Sequence, residues 1–176
     1  MKELLKLARK TLEVHFDKKE LEVSKNIKKK FSEKKACFVT LIENGELRGC
    51  VGSLYARQAL WKDVIENSIN AAFNDSRFPE LTSEELKKIK IEVSILSIPR
   101  KINFASFEEL KKKITGKGVI LKQGFSSATY LPQVWEEISD KEQFLSSLCM
   151  KAGLGRNEWK EKGLKVWVYD VKKVEE

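Results

Sequence analysis

Ala36-Cys37-Phe38-Val39-Thr40-Leu41-Ile42 runs into Glu43-Asn44-Gly45-Glu46 and continues as Leu47-Arg48-Gly49-Cys50-Val51-Gly52-Ser53-Leu54. The first seven residues are mostly apolar or β-branched and read as a strand over 36–42. Asn44-Gly45 is the strongest short-range hairpin signal, because a type I′ turn needs positive φ at both central residues. The return strand is expected over 46–54. Side chains alternate along a strand, so Arg48 and Cys50 are expected on one face. Gly49 and Gly52 leave the backbone beside them bare, open to close approach by a ligand or another chain. A guanidinium beside a thiol, framed by glycines, marks the segment as a candidate site.

Around this hairpin, helices and strands alternate. Leu4, Leu5, Leu7, Ala8, Leu12 and Phe16 recur at helical spacing over 2–16, and 20–31 reads as a second, short and very basic helix. Leu60, Trp61, Val64, Ile65, Ile69, Ala72 and Phe73 form the apolar stripe of a helix over 58–73, which ends in turn residues before Pro79. Thr82-Ser83-Glu84-Glu85 is a capping box. Residues 89–97 alternate as a half-buried strand, with Lys90, Glu92 and Ser94 on the outer side. Ser106 caps a helix to Ile114. Strands follow at 119–122 and 127–131, then a short helix from Pro132 and a longer one from Asp140 to Ala152, stopped by Gly153. A last strand is expected over 165–171. Strands joined by hairpins and interspersed with helices favour an α+β fold with a mainly antiparallel sheet.

The chain has 176 residues, 41% of them hydrophobic, enough for one domain or two small lobes sharing a core. It holds no run of about 18 apolar residues, and its first residues lack the apolar stretch of a signal peptide. A cytoplasmic protein without membrane contact is expected. Cys37, Cys50 and Cys149 are widely spaced and form no CxxC, so reduced thiols are expected. With His15 the only histidine, zinc is not expected. The net charge of +8 is uneven: residues 1–35 hold 12 Lys and Arg against 6 Asp and Glu, and residues 36–176 hold 22 against 20. Lys28-Lys29-Lys30 reads first as a solvated helix face and, more sharply, as a contact for nucleic acid or an acidic surface. No aromatic run interleaves with it as a stacking platform would require.

Cys50 is the one side chain here with strong nucleophilic character, provided it is a thiolate, and Arg48 is the cation expected to favour that state. Cys37 and Cys149 read as buried hydrophobes. Asp75 and Arg77 lie two apart where the 58–73 helix ends; they project toward one pocket or form an Asx turn with a surface ion pair. In Thr129-Tyr130-Leu131-Pro132-Gln133-Val134-Trp135, Pro132 suits a first helical turn whose N–H groups can meet an anion, and Gln133 adds a donor and an acceptor. Packing by Leu131, Val134 and Trp135 is the plainer reading of that passage. Lys151 ends the next helix, where the dipole favours a cation. Nucleotide-loop and common hydrolase signatures are absent.

Six segments together resemble the AMMECR domain family: Phe38-Val39-Thr40-Leu41, Leu47 to Leu54, Ala71-Ala72-Phe73-Asn74-Asp75-Ser76-Arg77-Phe78, Ile91 to Leu96, Thr129 to Trp135 and Leu148 to Leu154. They occur in the family's order over nearly the whole chain. Val51, Ser53 and Ser76 stand where the family usually has isoleucine, threonine and proline, and the basic stretch 22–35 fits its pattern poorly. The resemblance implies one AMMECR-like domain over 1–176 with two packed lobes, and a cleft near Arg48-Gly49-Cys50. It also implies association with Memo-like and radical S-adenosylmethionine proteins, the AmmeMemoRadiSam system. It implies no established activity and no known cofactor.

Three readings follow. In the first, the protein is an enzyme or enzyme component acting on a small anionic or nucleotide-like molecule. Cys50 is then the nucleophile or redox thiol, and Asp75 is a base or an orienting group. Arg48, Gly49, Gly52, Arg77, Thr129, Gln133 and Lys151 form the ligand site. In the second, it is a non-catalytic module binding a Memo-like or radical S-adenosylmethionine partner. In the third, the basic N-terminal segment binds RNA.

Overall fold

A computed structural model describes all residues, 1–176. They fall into two compact units, Met1–Ile98 with Lys172–Glu176, and Pro99–Val171. No helix is long and apolar enough to cross a membrane.

The first unit holds α1 (Lys2–Phe16), α2 (Lys25–Lys30), β1 (Cys37–Glu43), β2 (Glu46–Gly52), α3 (Leu60–Phe73), α4 (Ser83–Leu86) and β3 (Lys90–Leu96). The strand Val171–Glu175, β8 in chain order, completes its sheet in the order β2-β1-β3-β8. The hairpin turn is as expected: Asn44 and Gly45 have φ of 53° and 85°. One face of the sheet, with Cys37, Val39, Leu41, Ile91 and Val93, is fully buried. It packs in one cluster with Leu4, Leu7, Ala8 and Leu12 of α1 and Leu60, Val64 and Ala71 of α3. Each leucine so buried contributes roughly 1.5–3 kcal/mol.

Three expectations need correction in this unit. The basic helix over 20–31 shrinks to Lys25–Lys30, because Ser24 caps it by accepting from the Ile27 N–H. The return strand stops at Gly52 rather than Leu54, as the chain turns out of the sheet after Ser53 donates to the Cys37 carbonyl. The inner face of α3 is more polar than its apolar stripe suggested, since Asp63, Asn67 and Ser68 are buried beside Leu60, Val64 and Ala71. Asp63 Oδ2 accepts from the Cys37 N–H at 2.9 Å and from Asn67 Nδ2 at 3.1 Å, and Asn67 also donates to the Cys37 carbonyl. The start of β1 is thus satisfied by helix side chains, which is what makes their burial tolerable.

The second unit holds β4 (Arg100–Ile102), α5 (Phe107–Ile114), β5 (Gly118–Gln123), β6 (Ser126–Tyr130), α6 (Val134–Glu137), α7 (Lys141–Lys151), a 3-10 turn at Glu158–Lys160 and β7 (Lys165–Tyr169). Its sheet order is β4-β7-β5-β6, with antiparallel neighbours. Ser106 and Asp140 cap α5 and α7 through the N–H groups of Glu109 and Gln143. Gly153, at φ 75°, closes α7 in a Schellman arrangement: Gly153 N–H donates to Met150 and Leu154 N–H to Cys149. Leu110, Val119, Leu121, Phe144, Leu148, Trp159 and Val166 form the core.

The fold is α+β, as expected, but the antiparallel strands make two four-stranded sheets rather than one. The expected final strand over 165–171 is in fact two. β7 belongs to the second sheet and β8 to the first, and Asp170 is the single residue between them.

Candidate functional site

The β1–β2 ladder slips once. Leu41 pairs with Gly49 but Ile42 pairs with Leu47, so Arg48 is an extra residue, a bulge in β2. The strict alternation that would put Arg48 and Cys50 on one face does not survive it. Arg48 Nε donates to Glu85 Oε1 at 2.8 Å and Nη2 to Glu85 Oε2 at 3.2 Å. Nη1 and Nη2 also reach the carbonyls of Pro79 and Glu80 at 2.9 and 3.2 Å. Glu85 in turn closes the capping box of α4 by accepting from the Thr82 N–H and hydroxyl. The Arg48 guanidinium holds the Glu85 carboxyl down at about 2, against the opposing effect of burial. Arg48, expected to hold an anion and to activate the thiol, is instead committed to tying the segment after α3 onto β2.

Cys50 pairs across to Thr40, and its Sγ lies 3.2 Å from Thr40 Oγ1. Burial pushes its thiol above the ordinary value. The Thr40 hydroxyl and the Arg77 guanidinium pull it the other way, and the Asp75 and Glu92 carboxylates add to the rise. The cation acting on this sulfur is therefore Arg77 and not Arg48, and burial favours the neutral thiol. His15 is turned elsewhere, its ring 4.4 Å from that of Phe73.

Asp75 and Arg77 do converge with Cys50. β2 is an edge strand, and the backbone of Cys50 points outward from it. Asp75 Oδ2 accepts the Cys50 N–H at 2.9 Å, and Arg77 Nη2 donates to the Cys50 carbonyl at 3.2 Å. The two side chains also pair with each other, Nε to Oδ1 at 2.9 Å and Nη2 to Oδ2 at 2.7 Å. Together they occupy the place of a missing neighbour strand. The Arg77 guanidinium holds the Asp75 carboxyl far below the usual carboxylate range, with help from the N–H groups of Cys50 and Arg77. A carboxylate so fully engaged is a poor general base. Arg77 remains 54% exposed in its side chain, against 11% for Arg48.

The close approach at the two glycines is made by the chain itself. A Cβ on Gly49 would lie 2.2 Å from the Ala71 carbonyl oxygen of α3, and one on Gly52 would lie 2.4 Å from the Phe38 ring. Both positions need the missing side chain for packing.

Thr129, Gln133 and Lys151 belong to the second unit, where Thr129 and Lys151 share a network. Thr129 Oγ1 donates to the Val119 carbonyl and lies 3.0 Å from Tyr169 Oη, which donates to the Tyr130 carbonyl. Lys151 Nζ donates to the Thr129 carbonyl and sits 4.7 Å above the Tyr130 ring. The anion site expected at the Pro132 helix start is not formed. The Val134, Trp135 and Glu136 N–H groups donate back to the carbonyls of Leu131, Pro132 and Gln133, so the tight turn uses its own donors.

Sequence reading missed Thr40, Glu92, Ser94 and Lys173. Glu92 and Ser94 pair across to Thr40 and Phe38, so they share the face of Cys50. Both are buried rather than outward. Glu92 pairs with Lys173 of β8 at 2.7 Å and accepts from Ser94 Oγ. The available signal was the register: with Val39 opposite Val93, Glu92 falls beside Thr40 and Ser94 beside Phe38, on the face that carries Cys50.

The sequence profile of the AMMECR1 family matches residues 5–174. Protein NEQ441 of Nanoarchaeum equitans is 40% identical over 172 residues, covering 95% of this chain and 95% of its own. Protein Mbar_A1807 of Methanosarcina barkeri is 43% identical over 162 residues, covering 88% of this chain and 80% of its own. A crystal structure of the uncharacterized protein PH0010 from Pyrococcus horikoshii superposes with a TM-score of 0.85 at 34% identity, covering 98% of this chain and 89% of that one.

Proposed function

This chain belongs to the AMMECR1 family, and we propose that it acts as a non-catalytic binding module, with residues 1–176 working as one AMMECR domain. The observation that carries this reading is how the reactive side chains are spent. Arg48 makes four hydrogen bonds within the chain. Cys50 Sγ lies against Thr40 Oγ1, where burial favours the neutral thiol, and Asp75 is engaged by Arg77 and two backbone N–H groups. Nucleophilic chemistry needs a thiolate and a base that can take a proton, and this arrangement favours neither. Recognition needs an accessible charge on a rigid support, which Arg77 supplies. The exposed Leu47 and Tyr55, on β2 and just after it, add apolar area. The partner is a protein surface presenting a carboxylate to Arg77, and the Memo-like and radical S-adenosylmethionine proteins are the first to try.

Two measurements test this. Arg77→Ala is expected to weaken capture of a purified Memo-like or radical S-adenosylmethionine protein while leaving the fold intact. Capture of neither by the wild type, or equal capture by the variant, would remove Arg77 from recognition. Native alkylation of Cys50 across pH reports the thiol directly. A thiol titrating below its ordinary value would return the nucleophile reading to first place.

A further inference from the structure

A concavity of about 390 Å³ in the second unit is lined by none of the candidate residues above. It is bounded by β4, the loop after it, the first residue of α5, the end of the 3-10 turn and the loop into β7. Lys101, Lys160, Lys162 and Lys165 line it against one acid, Glu161. Lys160 reaches Glu142 at 3.8 Å and lies over the Trp159 ring. The other three lysines have no ion-pair partner. Nearby lysines do find one: Lys111 pairs with Glu108 and Glu142, Lys113 with Glu109, and Lys117 with Asp170. Three ammonium groups gathered around one hollow repel each other, and a shared anion relieves that repulsion.

The hollow also has an aromatic wall. Phe107 is 40% exposed, and its ring meets Trp159 edge-on with centroids 5.6 Å apart. Trp159 itself is fully buried, so Phe107 is held on one side and open on the other. The β4–β7 register, with Lys101 opposite Trp167 and Ile102 opposite Val166, brings Asn103 alongside Lys165 at the rim. A hollow of a few hundred Å³ with an apolar wall and a few convergent polar groups has the dimensions of a small-molecule site.

We propose that this hollow binds a nucleoside phosphate. The base lies on the open face of Phe107, and the phosphates are shared by Lys101, Lys162 and Lys165. A bare inorganic anion would use the lysines alone, and a neutral nucleoside would use only the ring; the joint presence of both selects the combined ligand.

Titration calorimetry and thermal shift on the full chain, with ATP, tripolyphosphate and adenosine as separate probes, test the assignment. ATP is expected to bind saturably and to raise Tm by mass action. Replacing the three lysines together (Lys101→Ala, Lys162→Ala, Lys165→Ala) is expected to cost at least about tenfold in ATP affinity, since each phosphate contact is a charge-assisted hydrogen bond. The same three changed to arginine should retain binding. Phe107→Leu keeps the contact with Trp159 and is expected to weaken ATP about tenfold, the usual order for one stacked base, while leaving tripolyphosphate unchanged. ATP that fails to bind at millimolar concentration, or that binds the triple alanine variant as well as the wild type, overturns the site. Tripolyphosphate binding as tightly as ATP, with Phe107→Leu neutral toward both, overturns the nucleoside part.

Discussion

Arg48 and Arg77 both serve β2, yet they do so in opposite ways. Arg48 leaves the strand at a bulge and is consumed by Glu85, Pro79 and Glu80, with its side chain 11% exposed. Arg77 arrives from the turn after α3, covers the strand's edge at Cys50, and stays 54% exposed. One guanidinium is framework and the other is surface. In the linear sequence Arg48 was the natural choice for ligand contact, because it sits two residues from the thiol. What separates the two is how many local acceptors each finds, and that depends on where the Pro79–Glu85 segment folds back.

The largest expected effect breaks the comparison from the Arg48 side. Arg48→Ala strips Glu85 of its partner and frees two carbonyls, and should cost about 3 kcal/mol or more in urea unfolding, as breaking a largely buried pair does. Arg48→Lys should recover less than half of that, since a point charge cannot reproduce the two-pronged grip. If both variants unfold like the wild type, the two arginines are equivalent and the distinction fails.

Gly49→Ala comes next. The added methyl would strike the backbone of α3 at Ala71, which cannot swing aside as a side chain would. A loss of about 1–3 kcal/mol is expected, in the range of overpacked cores. A neutral result in thermal melts would mean that β2 and α3 are less tightly coupled than the Arg48 staple requires.

Acid unfolding sharpens the same contrast. The folded Glu85 carboxyl titrates at about 2, below its ordinary 4.5. Its contribution is therefore complete above about pH 4.5 and is lost as pH falls toward about 2. Stability measured by urea unfolding at a series of pH values should decline through this window. The Arg48→Ala protein should show a shallower decline there, because its Glu85 has lost the main cause of the shift. Equal slopes would contradict the assignment.

Arg77→Ala is expected to have the smallest effect on stability, about 1–2 kcal/mol, because Arg77 is half in solvent although the Asp75 it leaves is buried and keeps two backbone N–H partners. It should nonetheless raise the Cys50 thiol further, since Arg77 is the cation that lowers it. Slower alkylation of Cys50 at fixed pH, with the fold unchanged, is the readout.

Local chemistry was legible where one residue type has one use. Asn44-Gly45 demanded its turn, Thr82 and Glu85 their capping box, and Asp140 and Gly153 the two ends of α7. The AMMECR resemblance named the fold. Illegible were features set by partners distant in sequence. Asp63 and Asn67 lie outside the apolar stripe read for their helix, but they are buried because the start of β1 needs their hydrogen bonds. The bulge at Arg48 inserts one residue with no glycine to announce it at that position. Glu92 alternates as a solvent-facing residue should, yet it is buried and pairs with the exposed Lys173 of β8. Of the site, Cys50, Asp75 and Arg77 could be read as a group because a two-residue turn and a neighbouring strand suffice to join them. The fate of Arg48 required a loop more than thirty residues away.

The passage from β7 to β8 across Asp170 has a consequence for synthesis. The N-terminal unit emerges first from the ribosome, yet its sheet lacks a fourth member until residues 171–175 follow, after the whole second unit has been translated. Until then the outer side of β3 exposes unpaired backbone, and Glu92 has no Lys173. The half of the protein that is made earliest is finished last.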